Sequence, residues 1–276
     1  MHYSYNMIIK ANCKINLGLH VVRKREDGYH ELETIMLPVK GLYDVVGVER
    51  TEALNIEFSQ QGIVVDCPPE RNLMVRAAKL MQERYGVGGV KLSLDKRVPF
   101  GAGLGGGSSD ATATIVGINE VYDLALDKDS LSSLAAELGS DTPFFVYNTP
   151  QLCTGRGEIM TAADVDLEGR WLVVVKPNEG VSTAEAYSGV KPAMPAVSLT
   201  ELVARPIDEW QGSIVNDFEP HIFAAHPRIA ELKDMLIRSG ALYASMSGSG
   251  SALFALYDKE PRIELSEDTF LHVERL

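Results

Sequence analysis

Residues 99–111 read PFGAGLGGGSSDA: five glycines, Gly101, Gly103, Gly105, Gly106 and Gly107, then the hydroxyls of Ser108 and Ser109. Glycine has no Cβ, so the chain can enter φ > 0 and bring its N–H groups against a bulky anion. The following ATATIVGINEV, residues 111–121, reads as a helix. A glycine loop opening onto a helix N-terminus offers unpaired N–H donors and the positive end of the helix dipole. The guest that suits it is a phosphate chain, cradled by Pro99, Gly101, Gly103, Leu104, Gly105, Gly106, Gly107, Ser108 and Ser109. No lysine follows the glycines, which excludes a phosphate loop of the GxxxxGK[ST] type. Gly101, Gly103 and Gly106 fit the dinucleotide spacing GxGxxG, which keeps a dinucleotide-binding module as a rival. The βαβ setting of that fingerprint is not evident here. A plain surface linker would not sit between a strand-like run, residues 90–98, and an apolar helix.

Other chemical groups are scattered along the chain. Lys14 lies in an apolar strand, and Asn16, two residues on, leaves the same face. A lysine there must find water or a negative partner, and the strand alone does not decide which. Asp141 follows Gly139 and Ser140 at a helix-to-strand junction and by itself reads as a turn former or cap. Paired, Lys14 and Asp141 can orient a substrate hydroxyl and neutralise developing charge beside a phosphate loop. Tyr29 and His30 sit in a turn. One offers a flat face and the other a donor and an acceptor, which suits a nucleobase edge, although a turn histidine is often only solvated. A second glycine–serine turn contains Gly248, Ser249 and Gly250; it either connects strands or supports the phosphate site. The six histidines show no HExxH and the chain has no GxSxG, so neither a protein-built metal site nor a nucleophile elbow is expected.

These groups need a scaffold. Strands are expected over residues 8–22, 32–39, 44–50, 53–58, 90–98, 170–176, 241–245 and 251–257. Helices are expected over residues 71–85, 111–121, 129–138, 181–187 and 226–240. Strands and helices mix without strict βα alternation, which predicts an α+β chain of two domains. With 276 residues the chain is long enough for one large domain or two ordinary ones.

Composition excludes several classes. The hydrophobic share is 45% and the charged share 23%, as in a globular protein, and no apolar run approaches a membrane span. The first seven residues lack a basic region and apolar core, so no secretory signal is expected and the cytoplasm is the default compartment. Cys13, Cys67 and Cys153 are far apart and odd in number, which predicts buried, reduced thiols. The net charge of −12 disfavours nucleic acid and anionic lipid as partners. An anionic nucleotide must then be held by local amides and one or two well-placed cations.

Taken in order, CKINL at 13–17, DGYHELETIM at 27–36, the glycine loop at 99–111, LGSDTPFF at 138–145 and SGSGSA at 247–252 make a recognisable set. The chain resembles, over nearly its whole length, the galactokinase–homoserine kinase–mevalonate kinase–phosphomevalonate kinase superfamily. The glycine loop alone indicates only the superfamily; the segment 27–36 points to a cytidine diphosphate substrate. The resemblance implies a ribosomal-S5-like ATP-binding domain over residues 1–154, a ferredoxin-like substrate domain over 155–276, and an active site between them. It implies ATP-dependent phosphorylation of the 2-hydroxyl of a methylerythritol moiety carried on cytidine diphosphate, a step of the non-mevalonate isoprenoid route. Lys14 and Asp141 would be the catalytic pair. Tyr29 and His30 would hold cytosine, with Tyr187 at its other face, and Asn16 and Thr183 would line the substrate channel. Magnesium would be carried mainly by the nucleotide phosphates, with Ser108 a candidate ligand. Another small-molecule alcohol kinase of the same superfamily is the nearest alternative. Residues 192–214 match no motif, and residues 1–6 read as an extension or an upstream start.

Overall fold

The computed structural model describes residues 6–65 and 67–276, so the expectations for residues 1–5 lie outside it. The chain forms two compact units. One comprises the residues up to Lys14, Pro38–Phe100 and Gly105–Thr149; the other Ile15–Leu37, Gly101–Leu104 and Pro150–Leu276. The chain passes into the second unit for the last time at Pro150. Ile15–Leu37 also belongs to the second unit, because the first two strands are shared, as does the loop segment Gly101–Leu104.

These strands are β1 (Asn6–Lys24) and β2 (His30–Thr51). β2 joins the two strands expected at 32–39 and 44–50 into one. From Leu42 the alternation resumes at once, with Leu42, Asp44, Val46 and Val48 all facing inward. A two-residue period that keeps one face buried holds the strand together despite Pro38 and Gly41.

In the first unit, β3 (Ile56–Gly62) crosses over through α1 (Leu73–Tyr85) to β4 (Gly89–Lys96), which lies parallel to it. β4 is antiparallel to the end of β2, with Val46 opposite Leu94 and Val48 opposite Leu92. Asn72 caps α1 by accepting from the Met74 N–H, and Gly86 ends it at φ 64°. α2 (Gly106–Val121) packs on α1, followed by α3 (Lys128–Ala136) and a short α4 (Phe144–Tyr147). Met74, Ala77, Ala78 and Met81 of α1 meet Ala111, Ile115 and Ile118 of α2 over Val46, Val48 and Leu92. This is the i, i+3, i+4 stripe of a core-facing helix. Gly117 allows close approach, since a Cβ there would lie 2.6 Å from Val48. The strand expected after Asp141 is instead α4. Pro143 precedes it, Phe144 and Phe145 bury their rings, and Asn148 stops it at φ 51°.

In the second unit, β5 (Gln151–Gly155) pairs antiparallel with Leu32–Met36 of β2, and β6 (Ile159–Ala162) pairs with β5. A separate antiparallel sheet contains β7 (Trp171–Lys176), β8 (Tyr243–Met246), β9 (Leu253–Tyr257) and β10 (Phe270–Arg275) in the order β10-β7-β9-β8. Between β7 and β8 run α5 (Thr183–Ser188), α6 (Leu199–Val203), α7 (Glu219–Ala225) and α8 (Pro227–Arg238). Ile229, Leu232 and Leu236 of α8 pack with Val173, Val175, Met246, Leu253 and Ala255. The unmatched region 192–214 contains α6 and a single 3₁₀ turn, and it buries Leu199, Trp210 and Ile214. The molecule is thus α+β with two sheets, as expected. Among the described residues no helix is long and apolar enough to cross a membrane.

Ile115 is fully buried between α1, α2 and β2. Ile115→Ala should cost about 2–5 kcal/mol in a urea titration of the purified protein. A loss under about 1 kcal/mol would contradict close packing at that point.

Candidate functional site

Lys14 is the last residue that β1 contributes to the first unit. Its side chain is only 3% exposed, and its Nζ lies 3.2 Å from Asp141 Oδ2. Asp141 is 35% exposed, so the pair joins a buried ammonium to a carboxylate that faces outward. The residue after Asp141 is tied to α2, because Thr112 Oγ1 donates to the Thr142 carbonyl at 2.8 Å. Asp141 therefore sits on a turn pinned to the helix that follows the glycine loop. The two groups expected to act together are 127 positions apart in sequence and adjacent in space.

Gly105 is the residue before α2, with φ 69°. A Cβ there would lie 3.0 Å from Lys14 Cε and 3.0 Å from Phe145 Cζ. Glycine is required twice over, by the backbone angle and by the lysine stem beside it. No side chain caps α2, so the first-turn amides at Gly106, Gly107 and Ser108 lack the usual side-chain acceptor. A helix start with uncapped amides, a geometry suited to an anion, is thus packed directly against Lys14 of the Lys14–Asp141 pair. Beside it opens a small recess of about 90 Å³, lined by Val65, Leu73, Leu94, Phe100, Lys96 and Asp110 among others. Its largely apolar walls, next to first-turn amides, suit a flat base attached to a phosphate chain.

In the second unit, Gly103 and the second glycine turn touch each other. A Cβ on Gly103 would meet the Ser247 carbonyl at 2.0 Å, and Ser247 Oγ donates to the Gly103 carbonyl at 3.0 Å. Asn16 donates through its backbone N–H to Ser247 Oγ and through Nδ2 to Thr34 Oγ1. Asn216 Nδ2 donates to both Met246 O and Gly248 O at 2.8 Å. Gly248, Ser249 and Gly250 are thus held as a rigid turn. Asn216 was not among the expected residues, since it lies outside every glycine motif.

The aromatic residues of the same unit are only partly brought together. His30 stacks on Tyr187 with centroids 4.9 Å apart, and Tyr187 meets Phe218 edge-on. Tyr29 is 56% exposed, and the Arg156 guanidinium lies 4.6 Å from its ring centroid. An Asx turn orients Tyr29, with Asp27 Oδ1 accepting from its N–H. Thr183 is exposed at the start of α5, whose N-cap is Ser182.

Three further charged groups sit in the first unit. Lys96 Nζ donates to Asp44 and, at 2.8 Å, to Asp110 Oδ2. All three are buried. Burial works against the Lys96 charge, but Asp110 and Asp44 outweigh it and raise the ammonium above its usual range. Burial also pushes the Asp110 carboxyl up to about 7, against the pull of Lys96. A signal for two of the three was present in the sequence. Asp44 and Lys96 occupy the apolar parity of their strands, beside Val46 and Leu94.

The chain matches the GHMP kinases: their N-terminal domain model covers residues 72–149 and their C-terminal model residues 194–268. Among curated proteins, the 4-diphosphocytidyl-2-C-methyl-D-erythritol kinase of Parabacteroides distasonis is 45% identical over 96% of this chain and 98% of its own. That of Bacteroides thetaiotaomicron is 40% identical over 98% and 100%. A crystal structure of a 4-(cytidine 5′-diphospho)-2C-methyl-D-erythritol kinase is 35% identical and superposes with a TM-score of 0.76, covering 91% of this chain and 90% of that one. A homoserine kinase from Cytophaga hutchinsonii shares the fold, with 17% identity and a TM-score of 0.71 over 100% of this chain and 96% of its own. The chain belongs to the 4-diphosphocytidyl-2-C-methyl-D-erythritol kinase family within the GHMP kinases, and is an ATP-dependent phosphotransferase.

α5, which carries Thr183 and Tyr187, is fastened by His226, whose Nε2 lies 2.7 Å from Glu185 and whose Nδ1 lies 3.3 Å from Glu179. The Glu185 hydrogen bond holds His226 above the usual imidazole range, and His226 in turn holds Glu185 below the usual carboxylate range. The His226 contribution is full below the free imidazole value of 6.5 and is lost as pH rises through the higher folded value. The Glu185 contribution is present above 4.5 and lost as pH falls below it. His226→Gln should therefore destabilise more at pH 6 than at pH 8 in parallel urea titrations. An equal or larger effect at pH 8 would contradict the pairing.

Proposed function

We propose that this chain transfers the γ-phosphoryl group of ATP to the 2-hydroxyl of 4-diphosphocytidyl-2-C-methyl-D-erythritol. The observation that carries the reading is the Lys14–Asp141 pair at 3.2 Å beside Gly105, where α2 presents its first amides. Phosphoryl transfer passes through a loose transition state and needs alignment and charge stabilisation more than a strong base. Asp141 accepts the hydrogen bond of the attacking hydroxyl, aligns its oxygen with phosphorus and takes the proton as the new P–O bond forms. The bond to the ADP oxygen breaks at the same time. The Lys14 ammonium orients the carboxylate and offsets charge gathering on the transferred group.

The residues of the first unit fit the nucleotide. The amides of residues 105–108 receive the phosphates, the Ser109 N–H being bonded to the Gly105 carbonyl so that only its hydroxyl faces them, with Pro99, Gly101, Gly103 and Leu104 shaping the loop before them. The apolar recess takes the base. Among the described residues no three His, Cys, Asp or Glu side chains gather as a metal site. The reading has magnesium arriving on the phosphates, with the Ser108 hydroxyl as an added ligand. In the second unit His30, Tyr29 and Tyr187 receive the cytosine, and Asn16 and Thr183 line the path of the polyol. The glycine turn at Gly248–Gly250 braces Gly103. The acidic surface, net charge −12, disfavours nucleic acid as a partner. This reading places the enzyme and its small-molecule substrates in the cytoplasm.

The direct test is ADP release with the cytidine diphosphate methylerythritol, mevalonate and homoserine offered in parallel. Release with the first alone is expected; equal release with a rival alcohol would overturn the substrate assignment. Asp141→Asn should lower kcat by about 100-fold or more while leaving the ATP dissociation constant within about twofold. Turnover near that of the unaltered protein would remove Asp141 from the mechanism. Tyr29→Ala and His30→Ala should each raise the KM for the cytidine substrate about tenfold, ~1.4 kcal/mol, with kcat little changed. An unchanged KM in both would move the base pocket elsewhere.

A further inference from the structure

The Asp44–Lys96–Asp110 triad reaches both ends of the glycine loop. Asp44 Oδ1 accepts from the backbone N–H groups of Arg97 at 2.6 Å and Val98 at 2.8 Å, the residues that lead into the loop. Its other oxygen holds Lys96 Nζ, which also holds Asp110 Oδ2 on the second turn of α2, the helix that leaves the loop. The same ammonium fills the space beside Gly106. A Cβ on Gly106 would lie 3.0 Å from Lys96 Nζ and 3.0 Å from Val98 Cγ1. One buried cation therefore links the strand end, the start of α2 and the glycine between them.

Stability alone does not call for this arrangement. Buried ion networks are often matched or bettered by apolar residues of the same volume, because desolvation offsets the attraction. What apolar residues cannot do is hold two backbone amides and a helix turn in fixed directions. Asp110 Oδ1 is buried and has no hydrogen-bond partner among the described groups, so Asp110 is retained at a cost.

We propose that Asp44, Lys96 and Asp110 are positioning residues that set the first turn of α2 to receive the nucleotide phosphates, so that ATP affinity depends on them and alcohol affinity does not. This rests on the kinase reading above. Lys96 and Asp110 border the recess beside the loop, but on the phosphates the three act through the backbone at 97–98 and 106–110. Asp110 is the informative member. Burial opposes its charge, so an amide there removes a desolvation cost and leaves Lys96 paired with Asp44.

The test compares the unaltered enzyme with Asp110→Asn and Lys96→Met. ATP binding is measured by calorimetry, both KM values by ADP release, and folding by thermal melting. Asp110→Asn should melt within a few degrees of the unaltered enzyme, weaken ATP binding about 5–20-fold and raise KM for ATP in step. Its KM for the cytidine alcohol should stay within about twofold, and kcat at saturating ATP within about threefold. Lys96→Met should show a larger effect of the same selectivity if it folds. Three results would each overturn the proposal: unaltered ATP affinity in Asp110→Asn, a parallel rise of both KM values, or failure of Asp110→Asn to fold, which would make the triad a stability element. A parent enzyme that binds no ATP would instead contradict the kinase reading, whatever the variants do.

Discussion

The site depends on keeping the Lys14 ammonium out of water. A lysine buried in an apolar strand is costly unless a carboxylate and close packing hold it. Asp141 supplies the charge, and α2 supplies the packing through Gly105. The turn at Asp141 brings a carboxylate to the buried Lys14, and α2 starts beside the lysine stem at a left-handed residue without a side chain, Gly105. The uncapped start of α2 and the Asp141 carboxylate are thereby brought to one lysine.

This arrangement also answers how an acidic protein can handle a polyphosphate. The net charge of −12 is spread over a surface where water and salt screen it. The first-turn amides of α2 have no side-chain cap, and the Lys14 and Lys96 ammoniums are buried beside Gly105 and Gly106, where screening is weak. Neither ammonium stands alone. Each is shared with carboxylates that fix its direction, so local fields are set by geometry and not by net charge.

Some of this was legible in the chain and some was not. The glycine loop announced itself because positive φ, bulky anions and helix starts all require the same residues, and Gly101, Gly103 and Gly105 do adopt φ between 61° and 73°. Helices α1 and α8 were legible from their apolar spacing. The partnership of Lys14 and Asp141 was legible only as a chemical pairing that suits a phosphate loop and that the resemblance also implies, since no local pattern encodes a contact across 127 positions. The short helix after Asp141 was missed because Phe144, Phe145 and Val146 form an apolar run that period alone cannot assign. Pro143 before it and Asn148 after it were the available cues. Asp44 and Lys96 were visible as charged residues on an apolar parity, but Asp110 was not, because a single aspartate in a helix's second turn carries no signature. The span 192–214 stayed opaque since its order comes from distant partners, such as Glu33, which accepts from the Leu199 N–H.

The central claim is that Lys14 and Asp141 work as one unit. A double-mutant cycle in kcat tests it, using Lys14→Met, Asp141→Asn and the combined variant under saturating substrates. If they form one unit, the combined variant loses no more than a few-fold beyond the worse single variant. Losses that multiply, so that each residue contributes in full without the other, would contradict the account.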